Sequence, residues 1–202
     1  MINLFYSVFK HKKMVSHFII LCIILCIILS IYYYRTYENY TTFLSSKEAC
    51  KLMKNNNSYF KEMSILDKHA RNLKNISSPI YVEYCSKMDN FTQMEKDILR
   101  KLVDKIGNVL KKENNDFIQK IRLSWKFAKG NRTLEYGFPH THNDVIIVSP
   151  SFFMMPPSKQ IITLLHEKIH VLQRSYPKQF LDLYTKYWNF EKIKLSHKIN
   201  LI

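Results

Sequence analysis

Residues 161–174 read IITLLHEKIHVLQR, and the rest of the chain is best understood outward from them. Positions four apart on a helix lie one above the other, so His166 and His170 can hold a single metal ion between two imidazoles. Glu167 sits one step round the helix. There it can reach a water on that metal without being a ligand, the general-base position of a zinc hydrolase. Ile161, Leu165, Ile169 and Leu172 recur at helical spacing and predict a core-facing stripe. Ser158, after Pro156 and Pro157, is the expected N-cap, and Pro177 the expected stop.

Ahead of this helix the pattern predicts a scaffold. Ser45 and Glu48 can box the start of a helix carrying Ala49, Leu52 and Met53. Phe60, Met63, Leu66, Ala70 and Leu73 form a second helical face. Thr92 and Glu95 open the best-formed helix, with Ile98, Leu99, Leu102, Val103, Ile106, Val109 and Leu110 on one stripe. Then the period changes. Ile121, Leu123, Trp125 and Phe127 alternate with polar residues as in a half-buried strand, and Gly130-Asn131 is a turn signal. A second strand is expected over 134–138, and Val145 to Val148 as a third, buried on both faces.

This order of helix, small sheet and HExxH helix resembles the catalytic lobe of the zincin metallopeptidases. The likeness covers the motif helix and the strands just ahead of it, roughly the last third of the chain. It implies an α+β fold, a Zn2+ cofactor and a peptide or protein substrate. Zincins use an edge strand before the motif helix to pair with an extended substrate, so His140 and His142 are expected at the cleft. There they would hydrogen-bond a developing oxyanion or contribute a ligand; as a plain sequence feature, 139–144 reads equally as a polar turn between strands. Lys168 departs from the family, which carries an uncharged residue there, and is expected to extend outward.

A catalytic zinc takes three protein ligands. The metzincin pattern would need a histidine at Tyr176 and a glycine at Gln173, and neither is present. The gluzincin pattern points to Glu191, at about the family spacing. A tight turn at 175–177 into an antiparallel helix would favour Asp182, and His197 is a further candidate, but the family spacing gives Glu191 the preference.

The N-terminal part carries a different signal. Residues 15–34, VSHFIILCIILCIILSIYYY, are without formal charge and about long enough as a helix to cross a bilayer. No small-x-small cleavage pattern follows, so a signal anchor is expected rather than a cleaved signal peptide. Lys10, Lys12 and Lys13 precede it and only Arg35 lies close behind. That bias puts the N-terminus in the cytosol and the rest on the lumenal, extracellular or virion-exterior side. The chain would then divide into a basic tail (1–14), a single-pass membrane helix (15–34), a stalk (35–46) and a zincin-like domain (47–202).

Sequons at Asn39, Asn56, Asn75, Asn90 and Asn131 fit that topology. So does the prospect that Cys50 and Cys85 pair in an oxidising compartment. Three of the 31 basic residues precede residue 34, leaving 28 against 16 acidic ones. This excess suits acidic substrates, anionic glycans or lipid head groups. No nucleic-acid motif accompanies it, and nucleic acid is not an expected partner. Two functions follow: a membrane-anchored zinc peptidase, or a catalytically inactive zincin-like binding or structural membrane protein.

Overall fold

The computed structural model describes residues 20, 23–29, 40–55, 60, 63–71, 73 and 79–191. It divides the chain into two units, Met1–Thr41 and Thr42–Ile202. In the first unit, Ile20 and residues 23–29 are helical. The expected transmembrane helix is corrected here: among the described residues no helix is long and apolar enough to cross a membrane. A run such as 23–29 rises about 10 Å, against a hydrocarbon core of about 30 Å. The other residues of 15–34 lie outside those described.

The second unit is α+β. A five-stranded sheet contains β1 (Thr41–Phe43), β2 (Met88–Asp89), β3 (Trp125–Gly130), β4 (His140–His142) and β5 (Val145–Val148). Its order is β1-β3-β5-β4, with β2 also on β3. β3 and β5 run parallel, while β4 is antiparallel to β5 and forms the edge among the described residues. β1 falls inside the stretch expected to be a stalk, so pairing in the sheet reaches further towards the N-terminus than the composition suggests.

Side chains alternate across a strand, and β5 uses both faces for core. Ile146 and Val148 join Trp125 and Phe127 on one side, with Leu99, Leu102, Val103, Ile106, Leu164 and Val171. Val145 and Ile147 join Ala128 and Leu134 on the other, with Ala49, Met53, Ile80 and Tyr84. Helices therefore cover both faces. α1 (Ser46–Asn55), α2 (Ile65–Ala70) and α3 (Ile80–Ser86) precede α4 (Gln93–Leu110), α5 (Asp116–Ile121), α6 (Pro157–Ser175) and α7 (Pro177–Asp182). A disulfide joins Cys50 of α1 to Cys85 of α3.

Local chemistry sets the element ends. Thr92 and Glu95 form the expected reciprocal capping box on α4, as Ser45 and Glu48 do ahead of α1. Ser64 and Asp67 form another on α2, which begins the second expected helix later than its apolar spacing suggested. α6 starts from Pro156, not Ser158, with Pro157 in the first turn, where a missing N–H costs nothing. It ends at Ser175, and Pro177 opens α7.

Two expected strands are corrected. The alternation from Ile121 belongs to a strand only from Trp125. Asn115 caps α5 by accepting from Phe117 N at 2.9 Å and Ile118 N at 3.2 Å, and Ser124 then turns the chain with φ 52°. Residues 134–138 are not a strand at all. Leu134–Gly137 is a tight turn in which Glu135, Tyr136 and Gly137 all have positive φ. Ser149 Oγ and Ser151 Oγ hold it by donating to Gly137 O at 2.5 Å and 3.1 Å.

Candidate metal centre

α6 buries Leu164, Glu167, Lys168, Val171 and Leu172. The apolar stripe is therefore rotated from the expected one. Ile161 and Leu165 pack half-buried against the core, but Ile169 is 40 % exposed. The rotation admits two charged side chains to the interior and leaves His166 exposed and His170 half-buried.

The histidines meet as the i, i+4 spacing requires. His166 Nε2 and His170 Nε2 are 3.0 Å apart, with ring planes at 89°. Two nitrogens that each bind a tetrahedral zinc at about 2.0–2.1 Å stand about 3.3 Å apart, so this pair suits one ion with little movement. Glu167 lies buried beside them. Burial pushes its carboxyl up to about 7, Glu135 adds to the rise, and His170 and Arg174 oppose it.

Lys168 does not extend outward as expected. It is 3 % exposed, and its ammonium donates to Leu123 O at 2.6 Å and Ser124 O at 3.1 Å. The same group stands 5.1 Å from the centre of the Trp125 ring. Burial lowers its pKa to about 8, with Asp144 opposing. The lysine that sets this chain apart from the zincin pattern thus ties α6 to the turn that opens β3.

At the C-terminal end of α6, Arg174 Nε donates to Asn143 O at 3.0 Å and its guanidinium donates to Thr141 Oγ1. Thr141 faces the motif helix. His140 and His142, on either side of it, face the other way, because they pair across the ladder with Ile147 and Val145, which point into the opposite core. His142 is 2 % exposed and stacks on Phe60 at 5.2 Å. Burial lowers its pKa to about 4, helped by His140 and Arg174. His140 is bonded through Nδ1 to Phe138 O at 3.0 Å, and its Nε2 is 3.8 Å from Glu135 Oε1. The expected cleft pair is therefore not brought to the face that carries the motif.

Glu135 is the buried carboxylate of a second polar group. It accepts from Arg71 at 3.0 Å and from the Tyr84 hydroxyl. Its charge acts on both His142 and Glu167. Reading 134–138 as a strand concealed it, since pairing with residues 51 and 64 positions away leaves no local signal.

Of the third-ligand candidates, Asp182 pairs with Lys186 at 3.4 Å. Glu191 is exposed and lines a cavity of about 280 Å3 with Leu181, Tyr184, Thr185 and Phe190. His197 lies outside the described residues. Among the described residues no group of three His, Cys, Asp or Glu side chains is arranged to hold a metal, so neither Glu191 nor Asp182 joins the two histidines.

Gln173 and Tyr184 complete the surroundings. Gln173 Oε1 is 2.8 Å from His170 Nδ1, and Gln173 Nε2 donates to the Tyr184 hydroxyl. Gln173 is legible from its i+3 spacing to His170. Tyr184 is not, because its position depends on a π turn. Comparison with protein families, with curated proteins and with solved structures finds no match to this chain.

Proposed function

We propose that the chain is a zinc-dependent peptidase, with His166 and His170 holding the ion and Glu167 acting as the general base. The observation that carries this is the convergence of the two Nε2 atoms to 3.0 Å beside a buried carboxyl whose proton affinity is raised to about 7. A zinc ion held by His166 and His170 would supply Lewis-acid chemistry, polarising a carbonyl and lowering the pKa of a water to about 7. Glu167 takes the proton of the attacking water and later hands it to the leaving amine, so that one side chain serves both halves of the reaction. Among the described residues β4 ends the strand order β1-β3-β5-β4, the position at which an extended peptide can add to a sheet. The Cys50–Cys85 disulfide favours an oxidising compartment.

The test is digestion of a random peptide library by the zinc-loaded chain and by Glu167→Ala. Cleavage by the wild type, absent from a variant with unchanged zinc content, supports the assignment. Equal cleavage by both refutes it. A second function is favoured by the lack of a third ligand among the described residues: a binding or structural protein without hydrolytic activity. It predicts no cleavage by either chain.

A further inference from the structure

From α7 onward the chain builds a cluster of rings that is buried at one end and exposed at the other. Phe180, on α7, is buried and packs edge-on against Phe117 of α5 at 5.2 Å. Leu183–Tyr187 then form a π turn, closed by Trp188 N donating to Leu183 O at 3.2 Å. Asn189 reverses the chain with φ 55°, and Phe190 N donates to Tyr184 O at 2.9 Å. The reversal sets the rings of Trp188 and Phe190 at 5.5 Å and 6.3 Å from that of Tyr184, which stands 6.0 Å from Phe180. π turns are rare and concentrate at functional sites.

The outer end of the cluster is exposed. Trp188 is 58 % exposed, Tyr187 and Phe190 more so, and Leu181 is exposed as well. Leu181 and Phe190 border one cavity of about 280 Å3 together with Tyr184, Thr185 and Glu191. Large apolar side chains gathered at a surface mark a binding face, and the charges around this one indicate what it binds. Lys178 lies three residues before Leu181 on α7, and Lys186 lies in the π turn, where it reaches Asp182 at 3.4 Å; both lysines are exposed. In sequence, 178–198 holds five lysines, at 178, 186, 192, 194 and 198, against Asp182 and Glu191. Protein interfaces gather aromatic side chains but are depleted of lysine. Rings mixed with lysines are instead the composition of a segment lying in the head-group layer of a bilayer. There the rings enter the acyl boundary and the ammonium groups meet lipid phosphates.

We propose that 178–190 is a docking face for an anionic lipid surface. Leu181, Tyr187, Trp188 and Phe190 enter the interfacial layer, and Lys178 and Lys186 sit among the head groups. The proposal requires neither a metal nor the peptidase assignment.

The chain has two tryptophans, which makes the test direct. Trp125 is 1 % exposed, so its emission should not respond to lipid and any change reports Trp188. Fluorescence of the full chain would be followed on adding vesicles of phosphatidylcholine alone or mixed with phosphatidylglycerol, with brominated acyl chains as quencher. A blue shift with quenching in the anionic vesicles, absent from Trp188→Phe, is expected. Lys178→Gln and Lys186→Gln should each raise the lipid concentration needed for half the shift about 5-fold. Both lysines are on the surface, and unchanged emission from Trp125 checks that the variants are folded. No response to either vesicle would overturn the proposal. So would an equal response to neutral and anionic vesicles, or midpoints that neither lysine variant moves. A shift that appears without lipid as protein concentration rises would overturn it in favour of a second copy of the chain.

Discussion

Glu167 and Lys168 are adjacent, both buried, and shifted in opposite directions on the charge scale by the same cause. Desolvation raises the carboxyl towards 7 and lowers the ammonium towards 8. The lysine's charge is answered by two carbonyl oxygens, that of Glu167 only in part, by His170 and Arg174. Glu167 is left as a base poised near neutrality. The sign of its effect on stability follows. A carboxyl with a raised folded pKa costs nothing below its ordinary value of 4.5 and removes stability as pH rises through about 7. Glu167→Gln should therefore be neutral near pH 4 and stabilise the metal-free chain at pH 8. The upper limit is on the order of 3 kcal/mol, at 1.36 kcal/mol per pKa unit. Denaturant unfolding at the two pH values checks this, and a difference that does not grow with pH would contradict the burial argument. At this scale the sequence was informative about identity but not environment. HExxH named the three motif residues, yet nothing local revealed that Lys168 turns inward, because its acceptors lie 44 and 45 residues upstream.

Helices were legible where the chain carries its own end signals. The boxes of Ser45 with Glu48 and Thr92 with Glu95 are contained within four residues, and both elements start where those pairs place them. Strands fared less well, since alternation is also produced by segments that never pair. The stretch 134–138 is the clearest example: Leu134, Tyr136 and Phe138 alternate with Glu135 and Gly137, but long-range bonds from Arg71 and Tyr84 to Glu135 fix a left-handed turn. Gly137 distinguishes the two conformations. At φ 77° an added Cβ would lie 2.8 Å from Ser151 Oγ and 3.1 Å from Arg132 O. Gly137→Ala is thus expected to destabilise by about 2 kcal/mol or more, the left-handed penalty for a side chain plus the clash. In a strand the same change would stabilise. Thermal unfolding with a two-state fit decides between them.

Across the whole molecule, the α+β class and a small sheet ahead of the motif helix could be anticipated, because periodicity changes from 3.6 to 2 between Leu110 and Trp125. The transmembrane helix could not be carried over from hydropathy. What composition alone cannot supply is which face of the sheet each element covers, and that is what separates His140 and His142 from the motif. The disulfide closes a loop of 35 residues between α1 and α3 and anchors the layer that carries Tyr84. Replacing both Cys50 and Cys85 by alanine is expected to cost about 3–4 kcal/mol on the chain-entropy account, measurable as a lowered denaturant midpoint with a steeper slope, because the unfolded chain is released to expand.

The central claim is that His166 and His170 form a metal site, and zinc content per folded chain tests it most directly. The full-length protein and its His166→Ala variant would be loaded, dialysed and analysed side by side. Close to one zinc in the wild type and almost none in the variant is expected. A well-folded wild type without zinc, or a variant that keeps its zinc, would contradict the claim.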